Sequence, residues 1–494
     1  MPKVGMVSLG CPKNLVDSEV MLGMLAGHGY ELTPRADQAD VLIVNTCSFI
    51  EPAKRESIDA ILEMAEYKKF GEAKRLVVAG CLVERYRQDI LKEIPEVDFV
   101  IGTNELERVL EACALEEAST RTSSAPAEPY LYHEFTPRVL STPGYSAYLK
   151  IAEGCDHPCT FCVIPQMRGR FRSRRFESVV REAENLVAQG VRELTLIGQD
   201  TTSYGRDLGI TDGLPTLLRA LGKIDGLVWL RFLYCYPNQL TDSLIKAVAE
   251  TPTACKYFDI PLQHASGPVL RSMRRGSSGK HFLTMLAKIR RAIPAVAVRT
   301  SMIVGFPGET EDDFRALLDF VEAAEFDHLG VFLYSNEESS QSFALTGQVR
   351  ASTARRRQRQ LLALQRRISR RKLRAKVGQS LPVLVEGHSE ETELLLSGRL
   401  ESQALEIDGR VLINDFAGAE PQPGEFRWAQ ITAASDYDLV ARLEDRKFAE
   451  ARPARVSATA INARGERAPG AVPATRLIQI QTAGAPYVQN RNVV

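Results

Sequence analysis

The sequence predicts an α/β protein in three parts: an N-terminal parallel α/β domain at 1–115, a central partial (β/α) barrel at 141–376, and a small C-terminal all-β barrel at 377–445. Three observations predict it. Two long stretches alternate short apolar strands with helical periodicity, the pattern of parallel sheets covered by helices. A third stretch, 378–445, reads as short strands broken by turn signals such as Asp408-Gly409 and Pro423-Gly424. The length of 494 residues suits about three domains.

Composition excludes several classes. The 44% hydrophobic and 25% charged content is that of an ordinary soluble protein. Formal net charge is +0, so no global field draws the chain to nucleic acid or membrane. No apolar run reaches the roughly 18 residues of a membrane span. The start, through Cys11, superficially matches a lipoprotein cleavage site, but its apolar stretch is short and broken by Gly5 and Ser8. Nine cysteines in a leaderless chain suggest reduced thiols that serve metal in the cytoplasm, without membrane attachment.

In the first part, Val4 to Leu9, Val41 to Val44 and Leu76 to Ala79 read as buried strands. Asn14 to Ala26 and Ala53 to Tyr67 have helical periodicity. Each strand runs into a cysteine: Leu9-Gly10-Cys11, Asn45-Thr46-Cys47 and Ala79-Gly80-Cys81. Ligand sites of open α/β sheets form at the carboxyl ends of the strands. Cys11, Cys47 and Cys81 are therefore expected to converge and to hold a second metal cluster. Buried cysteines are common, but three at equivalent positions are not the pattern of mere filling. Residues 116–140 have the composition of a flexible linker or surface connection.

In the second part the strand candidates are Ala147 to Ile151, Glu193 to Ile197, Trp229 to Tyr234, Tyr257 to Pro261, Val296 to Val304 and Leu329 to Tyr334. Helices are read at Ser178 to Gln189, Thr241 to Glu250 and Glu311 to Ala324. Six units suggest a partial barrel with its site at the carboxyl ends. After the first strand comes Glu-Gly-Cys-Asp-His-Pro-Cys-Thr-Phe-Cys, which places Cys155, Cys159 and Cys162 in one loop. Three thiolates hold a [4Fe–4S] cluster with one iron unliganded by protein. A structural zinc needs a fourth ligand, and His157, lying between two of the cysteines, would strain the loop to supply it. This spacing resembles that of radical S-adenosylmethionine enzymes, in which the open iron binds the cofactor's amino and carboxylate groups.

Residues 354–376 form an arginine-rich stretch with Leu361, Leu362, Leu364, Ile368 and Leu373 as an apolar face. It could touch the ribosome or simply be solvated. The small barrel that follows resembles a TRAM domain. Its acidic residues outnumber its basic ones, which opposes phosphate binding and suits a basic protein. From 446 to 494 the composition is that of a disordered tail.

Three strand-end cysteines, the CxxxCxxC loop and a TRAM-like barrel together resemble the methylthiotransferase family over roughly residues 1–445. Val7 to Glu19, with Pro12-Lys13-Asn14 where the tRNA-modifying branch has Gln-Met-Asn, resembles the branch that acts on a ribosomal protein. Tyr148 to Arg174 and Phe258 to His264 point the same way. The resemblance implies methylthiolation of the β-carbon of an aspartate in the twelfth small-subunit ribosomal protein, with two [4Fe–4S] clusters and two S-adenosylmethionine molecules. It also implies a reductant such as flavodoxin or ferredoxin. The rival reading is the same chemistry on a tRNA adenosine.

Several further residues are candidates for contact with S-adenosylmethionine. Phe161 packs near the adenine or simply in the core. Gly198, Gln199 and Asp200 end one strand, and Gly305, Gly308 and Glu309 end another. Glycines there admit a ligand close to the backbone, or they serve an ordinary turn. Arg299 and Gln263 reach the same rim only if the strand register allows. Arg168, Arg170, Arg172, Arg174 and Arg175 hold carboxylates or face solvent. Cys113, Cys235 and Cys255 are read as structural, and His157 and His264 as satisfied polar residues.

Overall fold

Runs of Val, Ile and Leu make strands 3–8, 41–46 and 75–80 apolar on both faces, as a sheet covered on two sides requires. The computed structural model describes residues 1–115 and 130–448. These three strands are parallel, with Val4 opposite Val41 and Val44 opposite Val78. Short strands 31–32 and 99–101 extend the sheet at its two edges. On one face Val4, Met6, Ile43 and Val77 meet Val16, Val20 and Met21 of helix 12–27. On the other, Leu42, Val44, Leu76 and Val78 meet Ile61 and Met64 of helix 51–70.

The six expected barrel strands form. Strands 146–150, 193–197 and 229–232 are one parallel set; strands 257–259, 297–304 and 328–333 are the other. A bridge between Leu230 and Ala254 joins the two sets. Helices 176–188, 242–250 and 311–324 lie between the strands in sequence, and their apolar faces enter one core with the strands. Helix 351–374 closes against the last strand: Leu361, Leu364 and Ile368 are buried, and Gln358 donates to the Val331 carbonyl at 2.8 Å.

Five antiparallel and parallel strands within 380–447 close into a small barrel. It docks at the amino ends of the central strands. Glu193, the first residue of its strand, accepts from Arg399 at 2.5 Å, and the Tyr257 hydroxyl donates to Asp408 at 2.7 Å. The N-terminal domain takes the opposite, carboxyl, end. Arg85 and Lys54 pair with Glu337 at 2.8 and 3.1 Å, just past strand 328–333.

The three-part α/β architecture is thus the one the sequence predicts. The two-residue strands 31–32, 152–153 and 172–173 were not legible, because two residues cannot display a period of two. The expected linker differs in its described part. Tyr132 is 3% exposed, and Arg138 pairs with Glu19 at 2.6 Å and Glu182 at 2.9 Å. That segment straps the two α/β domains together. The rest of the linker reading, 116–129, lies outside the described residues. So does 449–494 of the tail, while 446–447 complete the last strand.

Candidate active site

Each cysteine of the first triad follows a sheet strand. Cys11 stands at the start of helix 12–27 and Cys81 opens helix 81–93. Gly10, at φ +88°, makes the turn: a Cβ there would come within 2.7 Å of Cys47 Cβ and 3.0 Å of its sulfur. Gly80, at φ +96°, would bring a Cβ within 2.6 Å of the Thr46 carbonyl. Backbone approach this close is why glycine precedes two of the three cysteines. Ser57 clamps the third by accepting from nothing larger than the backbone: the Cys47 N–H donates to its hydroxyl at 3.0 Å, and that hydroxyl donates to the Cys47 carbonyl at 2.8 Å.

The three thiols feel one another. Burial, then repulsion from Cys81 and Cys11, pushes the Cys47 thiol well above the ordinary range. Burial pushes Cys81 up to about 11. Burial works the same way on Cys11, but the Lys13 ammonium and Arg168 guanidinium overcome it and hold that thiol below its ordinary value. A cation bound among them would relieve this mutual repulsion.

The second triad occupies the loop between strand 152–153 and helix 164–168. The Cys155 N–H donates to the Gly169 carbonyl at 3.2 Å, and the Cys162 N–H to the Cys159 carbonyl at 3.2 Å. Burial pushes Cys155 and Cys162 each up to about 12. Arg275 donates to the Cys159 sulfur at 3.5 Å and lies 4.4 Å from the Tyr236 ring. His157 stacks on that ring at 3.5 Å and bonds Asp200 at 2.6 Å, so its partners are polar and aromatic groups.

The segments that carry the two triads meet. Cys81 packs with Val163 and Met167, and Val163 directly follows Cys162. Ser48, next to Cys47, donates to the Met167 sulfur at 3.1 Å. A buried ionic network fills the junction. Arg168 donates to Asp17 at 2.6 Å, to Asn14 at 3.1 Å and to Glu153 at 3.3 Å. Lys150 pairs with Asp17 and, at 2.8 Å, with Glu153. Gln199 also donates to Glu153, at 2.5 Å. Burial alone would raise the Glu153 carboxyl; Lys150 and Arg168 instead hold it at about 2.

The remaining candidates divide. Gln199 and Asp200 reach this junction through Glu153 and His157, and Gly198 lies beside them, where its Cβ would sit 3.5 Å from the Ala152 carbonyl. Phe161 packs with Val269, Met273 and Phe306. A Cβ on Gly305 would lie 2.6 Å from Ala354 on helix 351–374, so that glycine answers to helix packing. Gly308 donates to the Gly347 carbonyl at 2.9 Å. Glu309 accepts from the Phe306 N–H at 3.0 Å and pairs with Arg357 at 3.1 Å. Arg299 lies early in its strand, tied to Asp259 at 3.2 Å and Asp408 at 3.4 Å, and is not grouped with the glycine rim. Gln263 adopts φ +74° and bridges to Met302. Cys113, Cys235 and Cys255 are buried in hydrophobic clusters.

Sequence reasoning missed Asp17, Lys150 and Glu153 as site residues. A charged residue in an otherwise buried strand, Lys150, was the available signal. Among the described residues no three His, Cys, Asp or Glu side chains converge tightly on a single metal ion. A [4Fe–4S] cube spreads its thiolate anchors over separate irons, so the donor set of each triad fits a cluster.

A CxxxCxxC loop at the carboxyl mouth of a partial (β/α) barrel defines a radical S-adenosylmethionine enzyme, a class that carries a [4Fe–4S] cluster and S-adenosylmethionine. Residues 149–321 match the Radical SAM superfamily, 3–102 match uncharacterized protein family UPF0004, and 377–443 match the TRAM domain. The chain belongs to the ribosomal protein uS12 methylthiotransferase family. It is 61% identical to the ribosomal protein uS12 methylthiotransferase RimO of Solibacter usitatus, over 89% of this chain and 94% of that one. It is 53% identical to the protein of the same name from Koribacter versatilis, over 89% and 96%. Among solved structures, the radical S-adenosylmethionine methyltransferase TsrM of Kitasatospora setae is 17% identical with a TM-score of 0.49, over 67% and 73%. No described helix is long and apolar enough to cross a membrane.

Proposed function

We propose that this chain adds a methylthio group to the β-carbon of an aspartate in ribosomal protein uS12. The observation that carries the reading is the packing of the two cysteine-bearing segments against each other, with Cys81 against Val163, the residue after Cys162. The relatives' named activity, on a ribosomal protein and not on tRNA, supports the same substrate.

In this reading Cys155, Cys159 and Cys162 hold one [4Fe–4S] cluster with an iron left for S-adenosylmethionine, and Cys11, Cys47 and Cys81 hold a second. The bound groups supply one-electron chemistry able to take hydrogen from an unactivated carbon, together with the sulfur to be transferred. The chain's own residues do the rest. Arg168 and Lys150, buried with Asp17 and Glu153, lock the two cysteine-bearing segments at one separation. Close placement matters because a carbon-centred intermediate has to meet its partner before solvent does. His157 and Tyr236 seal one flank as a stacked pair. Phe161 with Phe306 walls another. On the small barrel, exposed Glu390, Glu391 and Glu393 closely precede Leu394, which is 90% exposed; this acidic, apolar stretch suits a basic protein partner. Electrons come from a flavodoxin- or ferredoxin-type reductant.

The test is anaerobic reconstitution with iron and sulfide. The enzyme is then incubated with reductant, S-adenosylmethionine and a uS12 peptide that contains the target aspartate. A mass gain equal to one methylthio group is expected. An unmodified peptide beside abundant 5′-deoxyadenosine would refute the substrate assignment.

A further inference from the structure

Lys13 lies two positions after Cys11, in the first turn of helix 12–27. It is only 7% exposed. Its Nζ sits 3.4 Å from the centroid of the Tyr234 ring, just beyond barrel strand 229–232. The ammonium therefore spans the gap between the first triad and the barrel mouth.

No carboxylate forms an ion pair with it among the described residues. Glu153 and Asp259 act on it from a distance, yet both are engaged elsewhere, Glu153 by Lys150 and Arg168, Asp259 by Arg299. Arg168 adds like charge. Cys11 is the strongest negative neighbour, but a metal-bound thiolate shares its charge with the metal. Burial without an anion disfavours the ammonium and lowers the Lys13 pKa from its ordinary value, so an incoming carboxylate would stabilise it. The cation–π contact with Tyr234 offsets only part of that cost. The other buried cations of the junction, Lys150 and Arg168, each have two carboxylates. Lys13 has no such carboxylate among the described residues, and it lies between Cys11 and the Tyr234 ring at the barrel mouth.

We infer that Lys13 receives the side-chain carboxylate of the substrate aspartate; this rests on the functional reading above. The carbon to be modified is bonded directly to that carboxylate. Pinning the carboxylate on Lys13 sets the carbon beside the Cys11, Cys47 and Cys81 triad. The Tyr234 face supports the ammonium from behind and leaves its N–H bonds for the ligand. An amide in place of the carboxylate would leave the charge unpaired, so the same contact selects aspartate over asparagine.

The test measures binding of two uS12 peptides to the reconstituted holoenzyme by fluorescence anisotropy, one with the target aspartate and one with asparagine in its place. Wild type is expected to prefer the aspartate peptide by about tenfold, as for one charge-assisted contact. Lys13→Met is expected to lose that preference, and Lys13→Arg to retain most of it. If Lys13→Met does not accumulate, Lys13→Gln reads the same ratio. An unchanged preference in the uncharged variant overturns the inference. Equal weakening of both peptides also overturns it, because that is the result of a lysine that only tunes the cluster. Methylthiolation of the aspartate peptide by wild type is measured alongside. Its absence would sink the functional reading itself, whereas its presence with undiminished selectivity in Lys13→Met sinks only the role of Lys13.

Discussion

Arg168 donates to the carboxylate of Asp17 at 2.6 Å, across the junction of the N-terminal sheet domain and the barrel. The two residues are 151 positions apart, and both are nearly inaccessible to solvent. Breaking a buried pair strands its partner, which costs about 3–5 kcal/mol. Arg168→Met leaves Asp17 with Lys150 alone. It is expected to lower stability by about 3 kcal/mol in denaturant titrations of the apoprotein. A loss below about 0.5 kcal/mol would show that the junction does not depend on this pair.

The two triads should separate in function. Cys155→Ala and Cys47→Ala are each expected to hold about four irons where wild type holds about eight, one cubane being lost. Cys155→Ala should form no 5′-deoxyadenosine. Cys47→Ala should form it without methylthiolated product. Product from Cys47→Ala at wild-type yield would contradict the second cluster.

Gly10 carries the first triad through a conformation that L side chains avoid, at φ +88°, and a Cβ there would press on Cys47. Gly10→Ala should cost about 1–3 kcal/mol and lower iron at the first triad while leaving the second intact. Iron analysis of Gly10→Ala combined with Cys155→Ala reads the first triad alone. Full occupancy there would mean that the turn relaxes freely.

Glu193 ties the small barrel to the central one through Arg399. Burial raises its carboxyl, but Arg399 and Arg231 outweigh burial and hold it at about 2, against an ordinary 4.5. A carboxyl lowered on folding stabilises fully above its unfolded value and loses that contribution as pH falls toward the folded one. Docking should therefore weaken between about pH 4.5 and pH 2. Trp229 packs edge-on against Phe426 at 4.8 Å across this interface, so its fluorescence reports the event. In Glu193→Gln the acid-dependent step should shrink; a step of unchanged size would assign it to other carboxyls.

Much of this protein was legible before folding was considered. Strand periodicity located the six barrel strands and the three sheet strands, and apolar runs that stop at Gly10-Cys11, Thr46-Cys47 and Gly80-Cys81 put the three cysteines at strand ends. Cys155, Cys159 and Cys162 needed only local spacing. These signals are short-range, and short-range order is written in consecutive residues. The partners of buried charges are not. Lys150 reaches Asp17 over 133 positions, and Arg138 turns an apparent linker into a strap by reaching Glu19. Arg299 lies where strand register and the docked barrel put it, against Asp259 and Asp408. Nothing in the sequence around Lys13 says that it is buried against Tyr234 without an anion. Only the closing of one domain over the other removes water from these groups, and it is that desolvation which decides which charges must pair and which remain open to a ligand.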